Sequence, residues 1–148
     1  LTPAIDKNQK FKIYISALTV LNIDYYNRIS TTDTRIIRRT VRDSQFRGYD
    51  ALRTLSSWYS ISAGEEKYIF PFQEDADVMF NTSLIYEINA LKKYALPLFS
   101  QIGKEEKEYA EAKRLTEFLK YFEQIDIEDI PKNSLLREFI GGGIFNYD

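Results

Sequence analysis

The segment over residues 33–48, DTRIIRRTVRDSQFRG, constrains the fold of this chain more than any other stretch. Its arginines recur at steps of three and four residues, which places them on one side of a helix with the aliphatic residues elsewhere. Either Thr31 or Thr32 can cap the helix start, and Asp33 in the first turn interacts favourably with the helix dipole. The predicted helix therefore has an apolar back and a cationic stripe. The arginine stripe consists of Arg35, Arg38, Arg39 and Arg42.

The arginine stripe needs an anionic partner, because like charges this close together repel one another. Within the segment, only Asp33 and Asp43 supply carboxylates. Guanidinium groups bind phosphate oxygens through two parallel hydrogen bonds and stay charged at any accessible pH. Two interpretations are open. The stripe binds the phosphates of a nucleotide or nucleic acid, or it is a solvated helix face that pairs with carboxylates elsewhere in the fold.

Composition narrows the classes of function. A chain of 148 residues, 44% of them hydrophobic, can bury the core of one domain, and we expect it to be folded. Cys and His do not occur in the sequence, which excludes thiol nucleophiles, disulfides, Ser-His dyads and the usual zinc ligands. The sequence has no apolar run approaching a membrane span and no signal-peptide pattern, so we expect a cytoplasmic protein without a membrane partner.

Two apolar runs predict the strands of a parallel sheet. We expect residues 11–18 and 76–80 to be buried on both faces, as strands of such sheets are. Helical periodicity follows each run, which predicts a crossover of strand, helices, strand and helix. Asn81, Thr82 or Ser83 is expected to cap the helix after the second strand.

The remaining helices are bounded by glycine, proline and turn residues. They are predicted over residues 49–60, from 84 to about 97, over 104–124 and from 134 to 140. Gly48 separates the first of them from the arginine helix. We expect a turn at residues 63–67, an extended aromatic piece at 68–72, a helix end near Pro97 and a helix stop at the glycines of 141–143.

Acidic residues are concentrated between the two predicted strands. They are Glu65, Glu66, Glu74, Asp75 and Asp77. Such a group forms a divalent metal site, a solvated surface, or a set of partners for the arginine stripe when no nucleotide is bound. Because these acids fall on separate predicted loops, we expect no metal site within this chain.

Four motifs extend over residues 10–145: KIYISAL, NRISTTDTRIIRRTVRD, RGYDAL and IFPFQEDADVMFN. In this order they resemble the C-terminal half of the uridine kinase and phosphoribulokinase family of P-loop kinases. The chain is most similar to bacterial uridine kinase-like proteins whose N-terminal domain is related to that of threonyl-tRNA synthetase. The combination RRxxRD followed by RG is the most specific part of the resemblance.

The resemblance implies a helix-rich α/β fold, the C-terminal part of a P-loop kinase fold with two parallel strands and flanking helices. The lid would span about residues 33–60 and the C-terminal helical part about residues 83–148. The sequence contains no phosphate loop of the form G-x-x-x-x-G-K-[ST]. Because the chain also begins with Leu and its single Met is Met79, we expect a piece of a longer kinase, with the phosphate-loop half absent.

The implied activity is ATP-dependent phosphorylation of a nucleoside such as uridine, or of a related sugar hydroxyl, by the full-length protein. Mg²⁺ would be held by the half that this chain lacks, and we expect the chain alone to be inactive. That missing half would be its partner, together with ATP, a small-molecule acceptor and, as a further option, a second copy.

The resemblance also implies roles for individual residues. Arg39 would face the acceptor, Arg42 the ATP phosphates, and Arg47 would approach from beyond the lid bend, so that these three are the catalytic residues. Tyr49 would lie at the acceptor, where these kinases usually carry an Arg, and Ser57 matches a nucleoside-contacting Gln. The acceptor therefore stays open. The expected ATP-phosphate ligands are Arg35, Arg38, Arg42 and Asn81.

Two rival functions use the same stripe. The chain could be a regulatory or nucleic-acid-binding module, or it could serve only in assembly. A net charge of −2 and the lack of interleaved basic and aromatic residues make nucleic acid the less favoured partner.

Overall fold

A computed structural model describes residues 5–144, which form a helix-rich α/β arrangement with a two-stranded parallel sheet. The strands are β1 (Ile13–Ser16) and β2 (Val78–Asn81), paired from Ile13 with Val78 to Ser16 with Asn81. The helices are α1 (Thr31–Phe46), α2 (Ala51–Tyr68), α3 (Glu87–Ser100), α4 (Tyr109–Lys120) and α5 (Arg137–Ile140). Short 3₁₀ turns occupy Lys7–Gln9 and Phe70–Phe72. The order β1, α1, α2, β2, α3 confirms the predicted strand and helix order.

Helix α1 forms as its spacing predicts, with a different cap. Ser30 is the N-cap, and its hydroxyl accepts a hydrogen bond from the backbone N–H of Thr32 at 3.1 Å, so the expected cap at Thr31 or Thr32 was wrong. Ser30 takes this position because it is the residue in extended conformation before the first helical turn. At the other end, Gly48 has a φ of 63°, which separates α1 from α2 as predicted.

The hydrophobic core lies between α1 and the C-terminal helices. Helix α3 packs against both α1 and α4, and α5 packs against α1. The apolar back of α1, represented by Ile37, is fully buried there with Leu91 of α3 and Leu115 of α4. Leu115 and Leu119, on the core side of α4, are both buried. The apolar side of α1 is therefore held in the core, and its arginine side faces away from the core.

The sheet differs from its prediction. Along β1, burial alternates, with Tyr14 and Ser16 buried, and β2 is exposed along its whole length. Both strands were expected to be buried on both faces, which is wrong, because among residues 5–144 no further strand pairs with either of them. Since side chains alternate between faces, four apolar side chains share one exposed face. This open sheet face consists of Ile13, Ile15, Val78 and Phe80.

Several element boundaries also differ from those expected. Helix α2 continues through the predicted turn at 63–67, and the predicted extended piece at 68–72 contains a helical turn. Helix α3 passes Pro97 and ends one turn later, where buried Phe99 packs into the core. It starts after Tyr86 without a side-chain cap, whereas the side chain of Asn81 accepts hydrogen bonds from the backbone N–H groups of Leu18 and Ser83. Helix α4 is shorter than the predicted 104–124.

Within residues 5–144, none of the helices has both the length and the apolar composition needed to cross a membrane.

The placement of the core predicts a large difference between two isoleucines. Ile37→Ala should lower the free energy of unfolding by about 3 kcal/mol, because it leaves a cavity at a residue with 0% exposure. Ile85→Ala removes the same atoms from a side chain that is 77% exposed, and it should change the free energy of unfolding by less than about 0.5 kcal/mol. Urea unfolding followed by circular dichroism measures both, and equal losses would contradict this placement.

Candidate functional site

The arginine stripe lines a cleft of about 280 Å³ at the carboxyl end of the parallel sheet. Ser16, the last residue of β1, and Thr82, directly after β2, form its floor, and the Thr82 N–H donates to the Ser16 carbonyl oxygen at 2.9 Å. Helix α2 contributes Trp58 and Glu65, and α5 contributes Phe139. We call this space the arginine cleft. In open α/β sheets, ligands bind at this edge, outside the carboxyl ends of the strands.

Arg38 is the innermost member of the stripe and is buried. Its guanidinium forms an ion pair with Glu87 on α3, with Nε donating to Oε2 at 2.7 Å, and it donates to the carbonyl oxygen of Thr82 at 2.6 Å and to the Thr82 hydroxyl at 3.1 Å. It also lies over the ring of Phe139, with Cζ 5.1 Å from the centroid. Arg38 therefore joins α1 to α3 and to the end of β2.

Glu87 was not identified as a site residue from the sequence. It is 1% exposed, and its other carboxylate oxygen accepts from the Ser83 hydroxyl at 3.1 Å. Burial raises the pKa of the Glu87 carboxyl, and the Arg38 guanidinium opposes that rise. The sequence did contain a pattern that could have identified Glu87, because this residue falls at helical spacing between Leu84 and Leu91, on the side of the helix that faces the core.

Arg35 also has a carboxylate partner. It forms an ion pair with Glu65 of α2, and its Nη1 donates to the Ser16 hydroxyl at 3.1 Å. Its guanidinium carbon lies 5.9 Å from the ring centroid of Phe70. Of the acids between the strands, Glu65 thus pairs with the stripe, which is one of the interpretations drawn from the sequence.

Arg39 and Arg42 share a carboxylate with Arg47. The closest contacts of the buried Asp43 carboxylate are 3.4 Å to Arg39 Nε, 3.7 Å to Arg42 Nε and 3.0 Å to Arg47 Nη1. Glu138 adds a contact of 3.9 Å to Arg42. We call Arg39 and Arg42 the outer arginines. Their Nε atoms are buried and have no hydrogen-bond partner within residues 5–144, whereas the side chains as a whole are 30% and 26% exposed.

The outer arginines are therefore the part of the stripe whose charge is least compensated. Two carboxylates, the buried Asp43 and the partly exposed Glu138, contact three guanidinium groups, which leaves local positive charge at this end of the cleft. Asp33, the other acid of the segment, accepts hydrogen bonds from Arg114 of α4 at 2.9 and 2.6 Å. Hydrogen bonds to Glu111, together with these to Asp33, raise the pKa of Arg114. Asp33 thus pairs with α4 and not with the stripe in the described part of the chain.

The structure does not bring all the predicted site residues together. Arg47 is exposed at the end of α1 and, like Tyr49, lies outside the described lining of the cleft. Tyr49 stacks under Arg53, with Cζ 3.7 Å from the ring centroid. Asn81 also lies outside that lining and binds the backbone of Leu18 through both its Oδ1 and its Nδ2, each at 2.9 Å.

Carboxylates suitable for a metal are not grouped in the part of the chain that the structure describes. No three His, Cys, Asp or Glu residues come close enough there to hold an ion. Asp77, from the acidic group, accepts a hydrogen bond from the backbone N–H of Lys12 at 2.6 Å. The positive charge of the outer arginines suits a phosphate group, whereas a cation such as Mg²⁺ would be repelled there.

Comparison with known proteins adds no assignment: no protein-family model, curated protein or solved structure matches this chain.

The Arg38–Glu87 pair predicts a pH-dependent stability loss. Arg38→Met should lower the free energy of unfolding by about 3 to 5 kcal/mol at pH 7, because it leaves the Glu87 carboxylate buried without its counter-ion. Burial raises the folded-state pKa of Glu87 above its ordinary 4.5, so the folded state binds more protons than the unfolded state. The stability of the variant should therefore rise as the pH is lowered toward 4.5.

Urea unfolding at pH 7 and pH 5 measures this effect. The double variant Arg38→Met/Glu87→Gln is the control, because it has no carboxyl at residue 87 and should lose the extra pH dependence. The same loss at both pH values in Arg38→Met would show that Glu87 does not titrate as described.

Proposed function

We propose that this chain is the lid and C-terminal part of a uridine kinase-like P-loop kinase, which transfers the γ-phosphoryl group of ATP to a hydroxyl of a nucleoside or related sugar. One observation carries the proposal: Arg39 and Arg42 line a cleft at the carboxyl end of the parallel sheet and share the buried Asp43 carboxylate with Arg47. The resemblance of the RRxxRD and RG motifs to the lid of that family supports it independently.

In phosphoryl transfer, a protein contributes positioning and neutralisation of charge on the transferring group. Arg42 would bind the ATP phosphates and Arg39 would orient the acceptor. Asp43 lies beneath both and restrains their guanidinium groups without cancelling their charge. Mg²⁺, when bound, would neutralise part of the phosphate charge. The compartment that we propose for such an ATP-dependent reaction is the cytoplasm.

The open sheet face supports a partner for this chain. Parallel sheets are normally covered on both faces, yet Ile13, Ile15, Val78 and Phe80 are each more than two-fifths exposed. A contiguous apolar surface of this kind marks a protein contact. In the proposed kinase, the half that carries the phosphate loop covers this face. Without that half, a second copy of the chain takes its place.

The anion site can be tested on the 148-residue chain through the fluorescence of Trp58, its single tryptophan, which lines the cleft. We expect ATP and inorganic tripolyphosphate to bind. Arg42→Ala should weaken both about tenfold, because it removes a charge-assisted contact. Arg53→Ala, which removes an arginine outside the cleft lining, should leave both affinities unchanged.

A short RNA serves as the competing ligand in the same titration. Tight RNA binding with a steep salt dependence and no preference for ATP would contradict the kinase proposal and favour the nucleic-acid module.

The sheet contact predicts self-association. Sedimentation velocity should show the 148-residue chain as a dimer or larger, and Ile13→Glu should shift it to monomer by placing a charge on the open sheet face. Ile85→Glu adds the same charge at an exposed residue before α3 and should leave the association intact. A monomeric wild-type chain at its highest soluble concentration would contradict this expectation.

A further inference from the structure

Glu65 forms an ion pair with Arg35, an arginine of the stripe that could otherwise bind an anion. We propose that the Glu65 carboxylate is an internal competitor, so that Arg35 binds a ligand in the arginine cleft only after that ligand has displaced Glu65. The inference rests on the proposed anion site at the outer arginines. It assigns to Glu65 an autoinhibitory contact that weakens the binding of long polyphosphates.

Glu65 lies at one end of the arginine cleft, as its position on α2 relative to α1 shows. Arg35 and Arg42 are seven residues apart on α1, about 10 Å along the helix axis and on the same side. Glu65 follows Trp58 on α2 by the same spacing. Because a short loop joins α1 to α2 and Glu65 pairs with Arg35, the helices run in opposite directions, with Glu65 at the Arg35 end. Orthophosphate at the outer arginines stays clear of Glu65, whereas a linear triphosphate reaches it.

A ligand can replace Glu65 as the partner of Arg35, whereas it cannot replace Glu87 as the partner of Arg38. The Arg38 and Glu87 side chains are 9% and 2% exposed, and the pair is supported by the hydrogen bonds that Arg38 donates to Thr82 and that Ser83 donates to Glu87. The Arg35 and Glu65 side chains are 21% and 14% exposed and line the cleft. The Nη2 group of Arg35 donates to Glu65, so displacement of Glu65 makes this group available to a phosphate oxygen, and the displaced Glu65 has access to water.

The backbone next to Glu65 is suited to this displacement. Gly64 lies inside α2, where glycine weakens a helix relative to alanine. Apart from the neighbouring residues and the backbone of α2 itself, no described atom lies within 4 Å of where a Cβ would be at this residue, so packing does not require a glycine. Since α2 ends at Tyr68, unwinding of its last turn would carry Glu65 away from Arg35. Gly64 is thus a weak point beside the residue that must move.

Titration of the 148-residue chain with tripolyphosphate and with orthophosphate tests the competition. Glu65→Gln should bind tripolyphosphate about tenfold more tightly, because Arg35 no longer has a competing carboxylate. Its affinity for orthophosphate should change less than about twofold. Glu66→Gln removes the same charge from the next residue, which is exposed, and should change neither affinity.

A second variant moves the affinity in the opposite direction. Gly64→Ala strengthens the last turns of α2, so it should weaken tripolyphosphate binding and slow its association, measured by stopped-flow fluorescence of Trp58. The wild type could bind tripolyphosphate through Arg42 while Glu65→Gln and Glu66→Gln bind it with equal affinity. That result would contradict the proposed competition by Glu65 and would leave the proposed anion site supported. If neither the wild type nor Glu65→Gln binds tripolyphosphate, both proposals are contradicted.

Discussion

The buried ion pair between Arg38 and Glu87 is the interaction on which the arrangement of this molecule depends. It links α1 to α3 and, through Thr82, to the end of β2. Burying two charges costs free energy that is offset only when they pair closely and make further hydrogen bonds. The pair therefore favours one position of α1 relative to the sheet. The apolar side of α1 packs into the core in that position, and its remaining arginines face the carboxyl end of the strands.

The stripe consequently divides into arginines with different surroundings. Arg38 has a buried carboxylate to itself, and Arg35 has a partly exposed one. Arg39 and Arg42 share Asp43 with Arg47. A guanidinium group with a buried carboxylate to itself supports the fold, whereas guanidinium groups that share one carboxylate keep positive charge for a ligand. This difference in pairing, more than the number of positive charges, locates the proposed anion site.

Local periodicity was enough to predict α1, its arginine side and the boundary at Gly48, because these depend on residues within a few turns. The parallel pairing of the two strands was also predicted. The exposure of β2 could not be, since burial depends on which elements lie beside a strand. Gly64 indicated a turn, yet α2 continues through it, where Glu65 pairs with Arg35. The partner of each arginine is set by tertiary packing, which spacing along the chain does not reveal.

The arginine Nε–Hε resonances, followed by NMR during a titration with tripolyphosphate, test the central claim most directly. If the outer arginines are the anion site, the Nε–Hε signals of Arg39 and Arg42 shift, because the phosphate oxygens bind the guanidinium groups to which these protons belong. The signal of Arg38, whose Nε already donates to Glu87, stays in place. Equal shifts of all the arginines, or no shift at Arg39 and Arg42, would contradict the division of the stripe.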